Sequence, residues 1–266
     1  MGRGCLHMMT NTMSEKIRQK ILCALDTPNL NDALGLASEL KGLVGGLKLG
    51  KEFFTENGPD GVREIAGLGL PIFLDLKFHD IPNTVAGAVR AAVRLKPFMI
   101  NVHASGGMEM MKRAREATIE EAKKIGVNPP LVIAVTILTS LDLEDLRLNG
   151  YRSPSVKEAV KTLALQAQEC GLDGVVCSGG EIKLLRSICN KNFKLVVPGL
   201  RPPWVKEDDQ VRKETPKGAF DKGADYLIIG RPITQATSSG KTPREAVEEI
   251  INDILDKAQE PLLLQA

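Results

Sequence analysis

Eight short apolar runs recur along this chain, and each is followed by a stretch with helical spacing. The runs are Ile21 to Leu25, Leu43 to Leu49, Ile72 to Lys77, Phe98 to His103, Leu131 to Leu138, Asp173 to Cys177, Phe193 to Val197 and Tyr226 to Ile229. Between them apolar residues return every third or fourth position, as at Val85, Ala88, Val89, Ala92 and Val93, or Ala246, Val247, Ile250, Ile251 and Ile254. A strand followed by a helix and another strand implies parallel pairing with right-handed crossovers. Eight such units in 266 residues predict a closed (β/α)8 TIM barrel, a fold that occupies about 250 residues. An open doubly wound sheet is the runner-up. It calls for a G-x-G-x-x-G turn after the first strand, where this chain has Asp26-Thr27-Pro28. No linker or shift of composition divides the chain. Residues 1–15 read as a disordered leader, and 16–266 as one barrel domain.

Composition narrows the function. The net charge is +2 and aromatic residues make up 4% of the chain, so neither a basic field nor a base-stacking surface points to nucleic acid. The five cysteines form no C-x-x-C pair, which suits reduced, buried thiols in the cytoplasm. No apolar run approaches the roughly 20 residues of a membrane span. The first twelve residues lack the apolar core of a signal peptide.

A barrel places its chemistry at the C-terminal ends of its strands. Here those ends carry Asp26, Lys48, Asp75 and Lys77, with Asp80 three residues further on. The signs alternate across three neighbouring strands, so packed together these groups fix one another's protonation and leave a lysine ammonium poised as a proton donor. Plain strand alternation would aim Phe73, Asp75 and Lys77 the same way. A surface ion pair is the bland reading of the same residues. After the eighth strand comes Gly230-Arg231-Pro232, and after the seventh Gly199 and Arg201, in the two loops where barrels commonly hold a phosphate. A strand-end arginine paired with a surface acid is the alternative there. The loop from Arg201 to Lys213 is long for its kind and holds Trp204 and Gln210. It reads as a lid, with a rigid surface excursion as the alternative. His103 at the end of strand four reads as a structural hydrogen-bonding group rather than an acid–base group. Asp26, Asp75 and Asp80 offer oxygen ligands to a magnesium ion in principle, but Lys48 and Lys77 already neutralise them, so no metal is expected.

The block Asp75-x-Lys77-x-x-Asp80-Ile81-Pro82-Asn83-Thr84 resembles the signature of the orotidine 5′-phosphate decarboxylase family. Other matches follow in order from about Ile21 to Ile254: Ala24-Leu25-Asp26, Leu47-Lys48-Leu49-Gly50, Asn101-Val102-His103-Ala104, Val135 to Ser140, Gly171 to Ser178, Pro198 to Arg201, Asp209-Gln210-Val211-Arg212 and Gly230 to Thr234. The resemblance implies decarboxylation of orotidine 5′-monophosphate to uridine 5′-monophosphate, the last step of de novo pyrimidine synthesis, without cofactor or metal. By the same resemblance Lys77 protonates C6, Asp75 sits beside the departing carboxylate, and Asp80 orients Lys77. Asp26 and Lys48 are expected on the ribose, with Lys48 also counted among the catalytic residues, Thr139 and Ser140 on the pyrimidine, and Arg201, Gln210, Gly230 and Arg231 on the phosphate. Asp80 and Thr84 are expected to reach across a two-fold homodimer into the partner's site. The nearest rival is a metal-dependent sugar-phosphate lyase or decarboxylase on a related barrel, which would carry an acid near position 48. A non-catalytic nucleotide-phosphate binder would lack Lys77 or Asp75.

Overall fold

The structure is a computed structural model that describes residues 3–205 and 214–258. Its strands pair in parallel, each with the next along the chain. They are β1 (Ile21–Leu25), β2 (Gly46–Leu49), β3 (Ile72–Phe78), β4 (Met99–His103), β5 (Leu131–Val135), β6 (Gly174–Val176), β7 (Lys194–Val197) and β8 (Tyr226–Ile229). β8 pairs back onto β1 through Ile21, Leu22 and Cys23, and the barrel closes. The expected (β/α)8 barrel is the observed fold.

Closure sorts side chains by the two-residue period of a strand. Leu22, Ala24, Phe73, Met99, Ile133, Val196 and Ile228 point inward and fill the barrel as one packed cluster. Their neighbours Cys23, Leu47, Leu74, Ile100, Ala134, Val175, Val197 and Ile229 point outward under the helices. The outer ring is α2 (Leu30–Leu40), α3 (Lys51–Ala66), α4 (Pro82–Val93), α5 (Met108–Ile125), α7 (Val156–Glu169), α8 (Ile182–Ile188), α9 (Pro216–Asp221) and α11 (Pro243–Ala258). α3 is kinked at Gly58-Pro59. Gly58 has φ +58° just before Pro59, which cannot donate an intrahelical hydrogen bond. α4 starts at Pro82, the first-turn position that suits proline.

Three helices stand outside the simple alternation. α1 (Arg3–Lys20) occupies most of the stretch read as a disordered leader. Its last turns hold the fully buried Ile17, and the helix packs on α11. Contact with the barrel supplies what composition alone did not promise. α6 (Leu143–Leu148) lies in the loop after β5, capped reciprocally by Asp142 and Asp145. α10 (Arg231–Thr234) is a single turn directly after β8.

Candidate active site

A cavity of about 280 Å³ opens at the C-terminal ends of the strands. Asp26, Lys48, Asp75, Lys77, Thr139, Arg201, Gly230 and Arg231 all line it, eight residues brought together from six strand ends. Ile137, Leu138, Val176, Val196, Pro198 and Ile228 make an apolar wall.

The charged side is a chain of alternating sign. Lys48 Nζ stands 2.8 Å from Asp26 Oδ1 and 3.4 Å from Asp75 Oδ2. Lys77 Nζ stands 2.7 Å from Asp75 Oδ1. Lys48 and Asp75 are each only 10% exposed at the side chain, while Asp26 is 56% exposed. Burial by itself would lower the Lys48 pKa. The carboxylates of Asp75 and Asp26, and hydrogen bonds to both, outweigh it and hold Lys48 above the ordinary lysine value. Lys48 is therefore an ammonium at neutral pH, wedged where a cation would otherwise bridge the two carboxylates. Among the described residues no group of three or more His, Cys, Asp or Glu side chains is placed to hold a metal ion.

The pairing of Asp75 with Lys77 is not made by plain strand alternation. β3 and β4 are in register at Leu74–Ile100 and again at Phe78–Val102. Asp75, Leu76 and Lys77 thus face the single residue Asn101, and β3 bulges. Lys77 itself has φ +53°, in the left-handed region that a non-glycine residue adopts at some cost. The bulge turns the chain so that both side chains enter the cavity. Asn101 is fully buried and holds the bulge: its amide donates to Asp75 Oδ1 at 2.6 Å and its carbonyl oxygen accepts from the Lys77 backbone N–H at 2.7 Å. Sequence reasoning gave Asn101 no role. The available signal was one amide in an otherwise apolar run, two residues from Met99 and so on the inward face.

The opposite rim is built by the loops after β7 and β8. Gly199 has φ +73°, which a side chain would strain. Arg201 Nη1 donates to Leu200 O at 2.9 Å, and Arg231 opens α10 at the cavity edge. Trp204 is partly buried against the core with Lys241 Nζ 5.4 Å from its ring centroid, a cation–π contact that anchors the start of the long loop. The expected phosphate ligand Gln210 and the remainder of the expected lid lie outside the described residues.

Three predicted residues do not line the cavity of their own chain. Ser140 is exposed beside Thr139. Asp80 and Thr84 are exposed too, and Asp80 Oδ1 accepts from the Ile81 N–H at 2.7 Å. Among the described residues His103 makes a ring contact with His79 rather than the expected side-chain hydrogen bond. Burial, then the charges of His79, Lys51 and Lys77, push its pKa down to about 4 despite Asp75. It is neutral at pH 7 and lies against His79, ring centroids 5.3 Å apart.

A family model described as orotidine 5′-phosphate decarboxylase / HUMPS matches residues 19–250. The chain belongs to this family. Relatives named orotidine 5′-phosphate decarboxylase include that of Rhodospirillum rubrum, 50% identical over 90% of this chain and 97% of the relative. Another, from Paramagnetospirillum magneticum, is 49% identical over 86% and 96%. The solved orotidine 5′-phosphate decarboxylase of Lactobacillus acidophilus superposes with a TM-score of 0.73 at 35% identity, covering 88% of this chain and 98% of that one. The decarboxylase / HUMPS match begins just before β1 and ends within α11, so it spans the whole barrel and every described residue of the cavity.

Proposed function

We infer that this chain is an orotidine 5′-phosphate decarboxylase, converting orotidine 5′-monophosphate to uridine 5′-monophosphate and carbon dioxide in pyrimidine biosynthesis. The observation that carries this reading is the Asp26–Lys48–Asp75–Lys77 chain of alternating charge facing the Gly199–Arg201 and Gly230–Arg231 rim across one cavity. The rim fits a phosphate and the apolar wall fits the pyrimidine. Lys48 and Asp26 fit the ribose hydroxyls. The reaction breaks the bond from C6 to the carboxylate and leaves the electron pair on C6, in an orbital that the ring π system does not delocalise. Electrostatic stabilisation must come from the protein. The Lys77 ammonium supplies it and then donates its proton to C6, leaving a neutral amine that regains a proton from solvent. Asp75, buried beside the departing carboxylate, also holds Lys77 in place. Binding energy from the remote phosphate is available to lower this barrier.

The reading includes no metal or cofactor. Lys48 occupies the place between two carboxylates where the sugar-phosphate rival would carry an acid. It also includes a homodimer in which Asp80 and Thr84 complete the neighbour's site. Their exposure supports this, as do Ile81, 67% exposed, and the apolar groove of Leu76, Phe78, Ala88 and Ala91 between α3 and α4. The unpaired thiols of Cys23, Cys170 and Cys177 suit a reducing, cytoplasmic setting. No helix among the described residues is long and apolar enough to cross a membrane.

The test is loss of orotidine 5′-monophosphate absorbance with release of carbon dioxide. Activity is expected to survive exhaustive chelation, and a loss restored by magnesium would favour the sugar-phosphate reading. Mixing inactive Lys77→Ala with impaired Asp80→Asn should restore about a quarter of wild-type activity, since half the dimers are mixed and one of their two sites is intact. A mixture that stays inactive after demonstrated subunit exchange would remove Asp80 from the shared site.

A further inference from the structure

We propose that Asn101 is the positioning residue of this site, the group that sets where the Lys77 ammonium stands. Three observations meet there. β3 has three residues opposite the one residue Asn101, so the ladder between the strands is interrupted where the catalytic pair lies. Lys77 holds a left-handed backbone conformation that nothing in its own side chain favours. The fully buried Asn101 amide spans the interruption, accepting from the Lys77 N–H at 2.7 Å and donating to Asp75 Oδ1 at 2.6 Å.

The chemistry selects an amide. Only a group that accepts at one atom and donates at the other, at fixed separation, satisfies the freed backbone N–H and the carboxylate together. An aspartate would accept from the N–H but set a third carboxylate against Asp75. A serine is too short to span both. Asp75 Oδ1 is the same atom that takes the Lys77 ammonium at 2.7 Å. Asn101 therefore grips Lys77 twice: directly at its backbone, and through Asp75 at its side chain. It is placed to act on geometry rather than on substrate affinity, because it does not line the cavity.

The inference rests on Lys77 as proton donor, so the experiment carries Lys77→Ala as a control. Asn101→Ala and Asn101→Asp are compared with wild type for kcat and KM on orotidine 5′-monophosphate, for uridine 5′-monophosphate affinity by calorimetry, for thermal unfolding, and by crystallography. Asn101→Ala should lower kcat by about 100-fold, the scale of an ångström of misplacement, with product affinity nearly unchanged. Its crystal structure should show Lys77 leaving the left-handed region or its Nζ moving away from Asp75. Asn101→Asp preserves shape and the acceptor. It should keep the Lys77 backbone conformation yet lose kcat through repulsion of Asp75, which supports the proposal even if the alanine variant fails to fold. Wild-type kcat in either variant overturns it, as does a fall in kcat matched by an equal fall in product affinity. If Lys77→Ala is itself active, the proton-donor reading fails. If Lys77→Ala is inactive and Asn101→Ala runs at wild-type speed, only the role of Asn101 fails.

Discussion

Replacing Lys48 with methionine tests whether the buried charge chain is held together as a unit. Methionine keeps most of the volume and removes the ammonium. At an effective dielectric constant of about 20, the attractions at 2.8 Å and 3.4 Å are worth about 6 and 5 kcal/mol before desolvation. Asp26 is more than half exposed, so water screens most of the first. The second is opposed by the cost of burying Lys48 itself. What remains decisive is Asp75, 10% exposed and deprived of the ammonium beside its Oδ2. Breaking such a buried pair costs about 3–5 kcal/mol, and the lower end applies because Lys77 and Asn101 still hold Oδ1. We expect Lys48→Met to lose about 3 kcal/mol in urea unfolding at pH 7.5, a fall in Tm of roughly 6–12 °C. The double variant Lys48→Met/Asp75→Asn leaves no uncompensated buried carboxylate at position 75. It should be more stable than the sum of the single losses by at least about 1.5 kcal/mol. The pH dependence adds a check. Because Lys48 is held above its unfolded value, its contribution is complete below about pH 10.4 and is lost as pH rises through the folded pKa. Lys48→Met should lack that alkaline decline. Additive losses within about 0.5 kcal/mol in the double-variant cycle would refute the coupling on which the reasoning rests.

Arg231→Ala should reduce kcat/KM on the nucleotide by several kcal/mol of transition-state stabilisation, and leave use of a substrate lacking phosphate almost untouched; equal losses on both would make Arg231 a structural residue. A Cβ added at Gly50 would stand 3.0 Å from Lys48 Nζ and 3.2 Å from Asp26 Oδ1, although the backbone at Gly50 is extended and suits any residue. Gly50→Ala should therefore raise KM for the nucleotide while Tm moves little; an unchanged KM would show that the pair shifts without consequence. The depressed pKa of His103 makes the unfolded chain take up its proton first, so stability is unaffected above about pH 6.5 and declines as pH falls toward about 4. The ring is partly exposed, so the expected loss is only about 1–2 kcal/mol, and His103→Asn should flatten the urea midpoint across that window.

The barrel was legible because its two periods are local. Short apolar runs, separated by stretches where apolar residues return every third or fourth position, marked all eight strands, and the boundaries of β1 and β8 agree with those runs. The helix α6 was legible in principle from Asp142-x-x-Asp145, a capping pair inside a polar loop. The site residues were legible as a set because strand order in a parallel barrel brings successive strand ends to one face. Asp26, Lys48, Asp75 and Lys77 needed no knowledge of packing to be grouped. Their arrangement did. Whether β3 continues flat through Lys77 depends on how it pairs with β4, and that pairing is decided by closure of the barrel and by an amide 24 residues further along the chain. The sequence by itself determined which groups meet at the strand ends, since alternation and chain order place them there. Only the tertiary structure decided that Lys77 enters the cavity through a left-handed bulge, because the contact that holds it exists only after β3 and β4 have come together.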